Sequence, residues 1–300
     1  DPARYRSLMD ELFALCRQHR LRLVPCLGTI PGPYLHLGEH GRAILDPQSK
    51  TSKWVEQYVR EFVTRYQNDP TVLMWELVNE GMLHADVNMD GRRLLPVGVY
   101  PPGTTSVRET GRVDDSLNWA DYLRLYREHT AFIKGLDPNH LVTSGDAHVR
   151  PECTSRRETF PHFQFRRDTW REWLANNLAS QPEPLDVLSF HVYGDDTPAP
   201  NDVPWAGMTT VEQVRRLVRC AHAAAAPVFI GELGAAPSNQ ADPTGRWLCD
   251  CLDALEAENV SLIALWVWHF PWQPERTMTS ATYPQVVTHA AAFNARYGVR

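Results

Sequence analysis

A chain of 300 residues is long enough for one large α/β domain, and 43 % of its residues are hydrophobic, as in an ordinary protein with a buried core. Its formal net charge of −6 comes without a basic cluster, which argues against nucleic acid as the main partner. The sequence has no run of about 18 apolar residues, so it predicts no membrane-spanning helix.

Predicted helices and strands alternate along the whole chain. Apolar residues at helical spacing predict helices at 2–19, 53–66, 117–136, 168–178, 211–225, 244–257 and 283–297. Short apolar runs predict strands at 21–27, 71–79, 140–145, 185–193, 227–233 and 261–268. The stretch 146–166 is expected to be irregular. Because alternation without hairpin signals is typical of parallel strands covered by helices, the sequence predicts a parallel α/β fold.

The loops that follow the predicted strands are long, whereas the loops that precede them are short. In an α/β barrel this asymmetry is typical of the C-terminal rim, where functional loops lie. Six strands leave two interpretations, an open six-stranded sheet or a (β/α)8 TIM barrel that lacks the first strand, the first helix and the second strand. Because the chain starts on a helix, we favour the incomplete barrel. Its two unpaired strand edges would favour a homodimer or cover by the N-terminal segment.

The cysteines carry no sign of a metal site. They occur at 16, 26, 153, 220, 249 and 251, without metal-ligand spacing, and we expect them to be mostly buried free thiols. The chain begins at Asp1 without a signal-like segment, so the sequence leaves the compartment open between secreted and cytoplasmic.

Two buried strands are predicted to end in a carboxylate. The first leads to Asn79 and Glu80, and the second contains Glu232. Burying such groups is costly unless they are hydrogen-bonded or used. Two carboxylates at a barrel rim can divide the breaking of a glycosidic bond, since one protonates the leaving oxygen while the other attacks the sugar carbon. Alternatively, each glutamate caps a helix or pairs with an arginine. Glu76, deeper in the first strand, is interpreted as a structural polar group.

Aromatic and imidazole side chains are predicted at the neighbouring strand ends. His191 and Tyr193 share one face of their strand, which favours contact with a carboxylate or a sugar hydroxyl. Trp268 is predicted to form the floor of a sugar subsite because indole faces stack on sugar rings, whereas Trp266 is interpreted as core packing. Further candidate substrate-binding residues are His148, Trp205 and Trp272.

Taken together, these motifs resemble the clan A glycoside hydrolases, and they look most like family 5, the cellulase and mannanase family. The resemblance rests on Trp75-Glu-Leu-Val-Asn79-Glu80, His191-Val-Tyr193, Ile230-Gly-Glu232-Leu-Gly234 and Trp268. It implies one catalytic barrel domain over 1–300 that is N-terminally incomplete relative to the family. It also implies a retaining reaction on a β-1,4-linked glucan or mannan, without a cofactor or metal.

The resemblance also implies a role for each matched residue. Glu80 would be the acid/base and Glu232 the nucleophile. Asn79 would bind the sugar, and Tyr193 would orient the nucleophile. His191 would line the subsite at the cleaved bond, and Trp268 would be the platform below it.

Two positions depart from the family pattern. Gly81 stands where the family usually has proline, and the arginine of the second strand that supports the nucleophile has no counterpart in these residues. Either the missing part lies upstream of residue 1, or another residue such as Arg150 substitutes, or the protein is impaired. An alternative function is therefore that of a carbohydrate-binding relic without activity. A metal-dependent hydrolase is disfavoured because no His-x-His pair ends a strand.

Overall fold

The computed structural model of the chain describes residues 1–94, 110–162, 164–194, 209–235, 244–271 and 274–297. The α-helices in this part are α1 (Pro2–Gln18), α2 (Lys50–Tyr66), α3 (Trp119–Leu136), α4 (Cys153–Thr159), α5 (Trp170–Ala179), α6 (Thr210–Ala223), α7 (Arg246–Ala257) and α8 (Pro284–Arg296). The strands are β1 (Met74–Glu76), β2 (Leu141–Thr143), β3 (Leu188–Gly194), β4 (Val228–Ala235) and β5 (Ile263–Leu265). Short 3-10 helices occupy Gly41–Leu45, Gly81–His84, Val113–Asp115 and Pro274–Arg276.

Local sequence signals place most helix boundaries correctly. At the start of α3, the Asn118 side chain accepts from the Asp121 backbone N–H and the Asp121 carboxylate accepts from the Asn118 N–H, both at 2.9 Å, so the two residues form a capping box. At the start of α6, the Thr209 hydroxyl accepts from the Glu212 N–H at 3.2 Å. The helix α4 was not predicted, because Cys153 is its one apolar residue and no apolar face reveals it.

The chain divides into two compact units. The N-terminal unit comprises Asp1–Gly145, Thr154–Arg166 and Ser180–Asp186, and the C-terminal unit comprises Asp146–Cys153, Arg167–Ala179 and Val187–Arg300. The expectation of a single catalytic domain over 1–300 stays a prediction.

In the N-terminal unit, β1 pairs in parallel with β2 along its length. On its other side, β1 and the residues just before it form parallel bridges with the segment 23–26, where a strand was predicted. Pro25 lies in that segment and has no N–H to donate, which explains why the pairing is limited to isolated bridges. The core of this unit contains Trp75, which is fully buried and donates its indole N–H to Asp137 at 2.8 Å.

In the C-terminal unit, β3, β4 and β5 form one parallel sheet with β4 in the centre. The helix α6 packs on β3 and β4, and α7 packs between α6 and α8. Because the strands are buried by these helices, they are apolar along most of their length, which is the pattern that predicted them. The carboxyl ends of β3 and β4 carry His191, Tyr193 and Glu232.

The six cysteines are free thiols, but only half of them are buried. Cys16, Cys153 and Cys251 are buried, whereas Cys26 is exposed and the other two are partly exposed. The expectation of a mostly buried set is therefore wrong. Within the residues that the structure describes, no helix is both long and apolar enough to cross a membrane.

Candidate active site

Glu80 lies just beyond β1 in the N-terminal unit. The backbone that leads to it continues the parallel pairing, because Val78 N–H donates to Ser144 O at 3.1 Å and Glu80 N–H donates to Gly145 O at 2.9 Å. Glu80 itself has φ 53° and ψ 36°, the left-handed region that non-glycine residues seldom adopt. Backbone strain of this kind clusters at functional sites, since it persists only where the surrounding structure holds it. The strand end therefore holds Glu80 in a defined, strained conformation.

Gly81 is explained by the side chains around it. A Cβ atom at this position would lie 2.5 Å from the hydroxyl oxygen of Tyr126 and 2.9 Å from a methyl group of Val78. Tyr126 is fully buried on α3, so it has no free space to move into. The structure thus accounts for glycine at the position where the family resemblance implies proline, since proline also carries a Cβ.

Glu232 lies on β4 in the C-terminal unit and is only 8 % exposed. The register of β3 and β4 shifts at this point, since Phe190 pairs with Ile230 but His191 pairs with Glu232. Gly231 is therefore the additional residue of a β-bulge, which directs the following side chain. A Cβ at Gly231 would lie 2.9 Å from the His191 ring, so glycine also makes room for the imidazole.

The Glu232 carboxylate has a partner near each oxygen. The Tyr193 hydroxyl donates a hydrogen bond to Oε2. The Nδ1 atom of His191 lies 3.5 Å from Oε1, and the His191 side chain is almost fully buried. A donated hydrogen bond stabilises the ionised form of a carboxylate. These two neighbours therefore favour an ionised Glu232 carboxylate in a fixed orientation.

Tyr193 is itself positioned by two neighbours. Its strand partner is Gly234, where a Cβ atom would lie 2.5 Å from Cε1 of the Tyr193 ring. The guanidinium carbon of Arg276 lies 4.7 Å from the centre of the same ring. No sequence signal points to either contribution, because no periodicity marks Arg276 and glycine on a strand has many explanations.

The other predicted site residues differ in their surroundings. Asn79 is exposed beside Glu80. His148 is exposed as well, and its Nδ1 donates to the backbone oxygen of His191 at 3.1 Å. Trp268 is 68 % exposed, and its subsite role stays a prediction.

Trp266 is only partly buried beside Phe270, so its interpretation as a core side chain is wrong. Trp205 and Trp272 lie outside the described residues.

Parallel strands that carry ionisable side chains at their carboxyl ends are the arrangement typical of enzymes of the α/β barrel class, and comparison with known proteins specifies the family. The chain belongs to glycosyl hydrolase family 5, because the family model described as Cellulase (glycosyl hydrolase family 5) matches residues 39–270. A curated relative, the probable mannan endo-1,4-beta-mannosidase C of Aspergillus terreus, is 38 % identical over 96 residues. That match covers 31 % of this chain and 18 % of the relative, so the chain spans less than a fifth of the relative's length.

Solved structures show the fold. An endo-1,4-beta-mannanase from Rhizomucor miehei has a TM-score of 0.62 at 16 % identity, over 96 % of this chain and 76 % of that chain. A beta-glucanase from Saccharophagus degradans has a TM-score of 0.53 at 18 % identity, over 99 % of this chain and 73 % of that chain. The fold is thus the (β/α)8 TIM barrel, of which the described strands form a part, and the prediction of an incomplete barrel over an open sheet is confirmed.

Proposed function

We propose that the chain is a retaining glycoside hydrolase that cleaves β-1,4-linked mannan, with Glu80 as the acid/base and Glu232 as the nucleophile. The observation that carries the proposal is the Glu232 carboxylate, which is buried on β4, accepts a hydrogen bond from Tyr193 and has His191 beside it. Membership of family 5 supports a glycosidic bond as the target of this carboxylate.

The barrel fold supports the assignment of both glutamates to one reaction. In a (β/α)8 barrel the carboxyl ends of all strands open onto one rim, and active sites are built there. Glu80 follows β1, and Glu232 lies in the second half of β4. In a retaining reaction one carboxyl group attacks the sugar while the other exchanges protons with the leaving oxygen and with water, which are the roles that we propose for Glu232 and Glu80.

In the proposed reaction, the Glu232 carboxylate attacks the anomeric carbon while Glu80 donates its proton to the leaving glycosidic oxygen. The bond to the leaving sugar breaks, and the remaining sugar is held as an ester of Glu232. Glu80, now ionised, takes a proton from water, which attacks the same carbon and releases Glu232 as a carboxylate. Tyr193 would keep the nucleophile oriented between the two steps, since its hydroxyl donates to Oε2.

Substrate contacts are proposed for the candidate side chains that the sequence indicated. We propose that Asn79 binds a sugar hydroxyl, that His191 lines the subsite at the cleaved bond, and that Trp268 stacks on a sugar ring. His148, Trp205 and Trp272 are proposed as further contacts. Mannan is preferred over glucan because the curated relative is named as a mannosidase, while a β-glucan is the second substrate to test.

Hydrolysis of mannan, β-glucan and xylan by the purified chain tests the proposal. We expect release of manno-oligosaccharides, with the β-anomer appearing first in the proton NMR spectrum because the mechanism retains configuration. Glu80→Gln and Glu232→Gln should each lower kcat by about a thousandfold or more, as expected for groups that act in the bond-breaking step. The matched control is Glu128→Gln, because that side chain is 52 % exposed on α3 and pairs with Arg124.

Two results would contradict the proposal. If either active-site variant kept wild-type activity against mannan and glucan, the assignment of the glutamates would be wrong. If the wild-type chain bound manno- or cello-oligosaccharides without hydrolysing them, the carbohydrate-binding relic would be the better description.

A further inference from the structure

Arg276 is held by its backbone at the end of the β5 region. It closes the 3-10 turn Pro274–Arg276, and its carbonyl oxygen accepts from the Val267 N–H at 3.2 Å. Two residues later, the Met278 N–H donates to Val267 O at 2.8 Å. This pair of hydrogen bonds attaches the turn to the segment that follows β5, and so fixes the backbone position of Arg276.

The Arg276 side chain extends from this anchor to the ring of Tyr193. Its guanidinium carbon lies 4.7 Å from the ring centre, well within the range of a cation–π contact. Its Nε atom is buried and, among the residues that the structure describes, has no hydrogen-bond partner. An arginine on the surface would satisfy that N–H with water, so the buried contact costs free energy that other interactions of the side chain must offset.

The contacted ring is the one that holds the proposed nucleophile. The Tyr193 hydroxyl donates to Glu232, while Cε1 of the same ring lies 2.5 Å from the position that a Cβ of Gly234 would take. A positive charge near the ring draws electron density from the phenol and makes its O–H a stronger donor, and neighbouring hydrogen bonds in a buried site polarise one another. Arg276 therefore acts on the ring's position and on the strength of its hydrogen bond together.

We propose that Arg276 is a positioning residue for the nucleophile, which holds the Tyr193 ring and strengthens the hydrogen bond from Tyr193 to Glu232. The inference rests on the proposed function of Glu232. Arg150 was the sequence-based candidate for an arginine that supports the nucleophile, but the guanidinium that the structure places on the Tyr193 ring belongs to Arg276.

The rate at which Glu232 is labelled tests this role directly. A 2-deoxy-2-fluoro-β-mannosyl fluoride forms a long-lived ester with the nucleophile, and peptide mass spectrometry measures its appearance on Glu232. We expect Arg276→Met to slow labelling by about tenfold, and Arg276→Lys to slow it less because a cation is retained beside the ring. KM for manno-oligosaccharides should stay within about twofold, since a positioning residue that does not touch the sugar leaves ground-state binding intact.

Two further variants separate positioning from stability. Arg216→Met removes an arginine that is 47 % exposed on α6 and should leave the labelling rate unchanged. In a Tyr193→Phe background the hydroxyl is absent, so Arg276→Met should slow labelling by less than about twofold more. A crystal structure of Arg276→Met should show the Tyr193 hydroxyl beyond hydrogen-bond distance of Glu232.

Each outcome decides one of the two proposals. The role of Arg276 would be overturned if Arg276→Met labelled Glu232 at the wild-type rate. It would also be overturned if the substitution lowered the labelling rate equally with and without the Tyr193 hydroxyl. If the wild-type protein neither hydrolyses a glycan nor labels at Glu232, the proposed function fails. The crystal structure then decides the Arg276 inference alone, because a Tyr193 ring that is unmoved in Arg276→Met refutes it and a displaced ring supports it.

Discussion

Gly234→Ala is the sharpest test of how tightly the candidate nucleophile is held. The new Cβ would lie 2.5 Å from Cε1 of Tyr193 and 3.2 Å from the carbonyl oxygen of Trp266. Carbon atoms in contact are separated by about 3.5–4.0 Å, so the Tyr193 ring has to move by about 1 Å. That displacement breaks or lengthens the hydrogen bond from Tyr193 to Glu232.

The expected size of the effect follows from the lost contact. A hydrogen bond to a charged group contributes about 1.5–3 kcal/mol. If the transition state loses this free energy of stabilisation, kcat falls by about ten- to a hundredfold. The overpacked strand should also lower the free energy of unfolding by about 1–3 kcal/mol.

Denaturant unfolding and steady-state hydrolysis measure the two effects separately. The matched control is Gly135→Ala on α3, because a Cβ at Gly135 meets no atom within 4 Å. That variant should keep full activity and gain up to about 1 kcal/mol of stability, since alanine is the better helix former. Gly234→Ala with wild-type kcat and stability would refute the inference that the Tyr193 ring packs against β4.

Two further predictions concern the N-terminal unit. The hydrogen bonds that Arg65 and Tyr66 donate to Asp10 lower the pKa of its carboxyl from 3.8 to about 2. The ionised form therefore adds stability that is present above pH 3.8 and is lost as the pH falls towards 2. The midpoint of thermal unfolding of Asp10→Asn should accordingly lie below that of the wild type at pH 7 and converge with it near pH 2. An unchanged difference at low pH would contradict this linkage. Homodimerisation through the unpaired strand edges stays a prediction, and we further expect the dimer to bury the apolar face of α1, where Leu8 and Leu12 are 50 % and 42 % exposed. Sedimentation velocity should show a dimer that Leu8→Glu with Leu12→Glu dissociates, whereas a stable wild-type monomer would rule the dimer out.

Local patterns were sufficient for most of the secondary structure. Apolar periodicity located helices and strands within a few residues, because a helix or strand that packs on a core must carry apolar residues on the packed side. The polar ends of apolar strands identified Glu80, Glu232, His191 and Tyr193 as candidates, since buried polar groups need a partner or a use. The reduction of the segment 23–26 to isolated bridges was not predicted, because those bridges join residues distant in sequence, and the helix α4 was not predicted because it has no apolar face.

The sequence by itself determined the parallel α/β class, the family resemblance and the residues that end its strands. Only the tertiary structure decided how those side chains are held. The bulge at Gly231, the fit of the Tyr193 ring against Gly234 and the stacking of Arg276 on that ring each join residues from different elements. Periodicity reports which face of an element is buried, but not which side chain of another element it meets, because that depends on register and packing across the whole sheet.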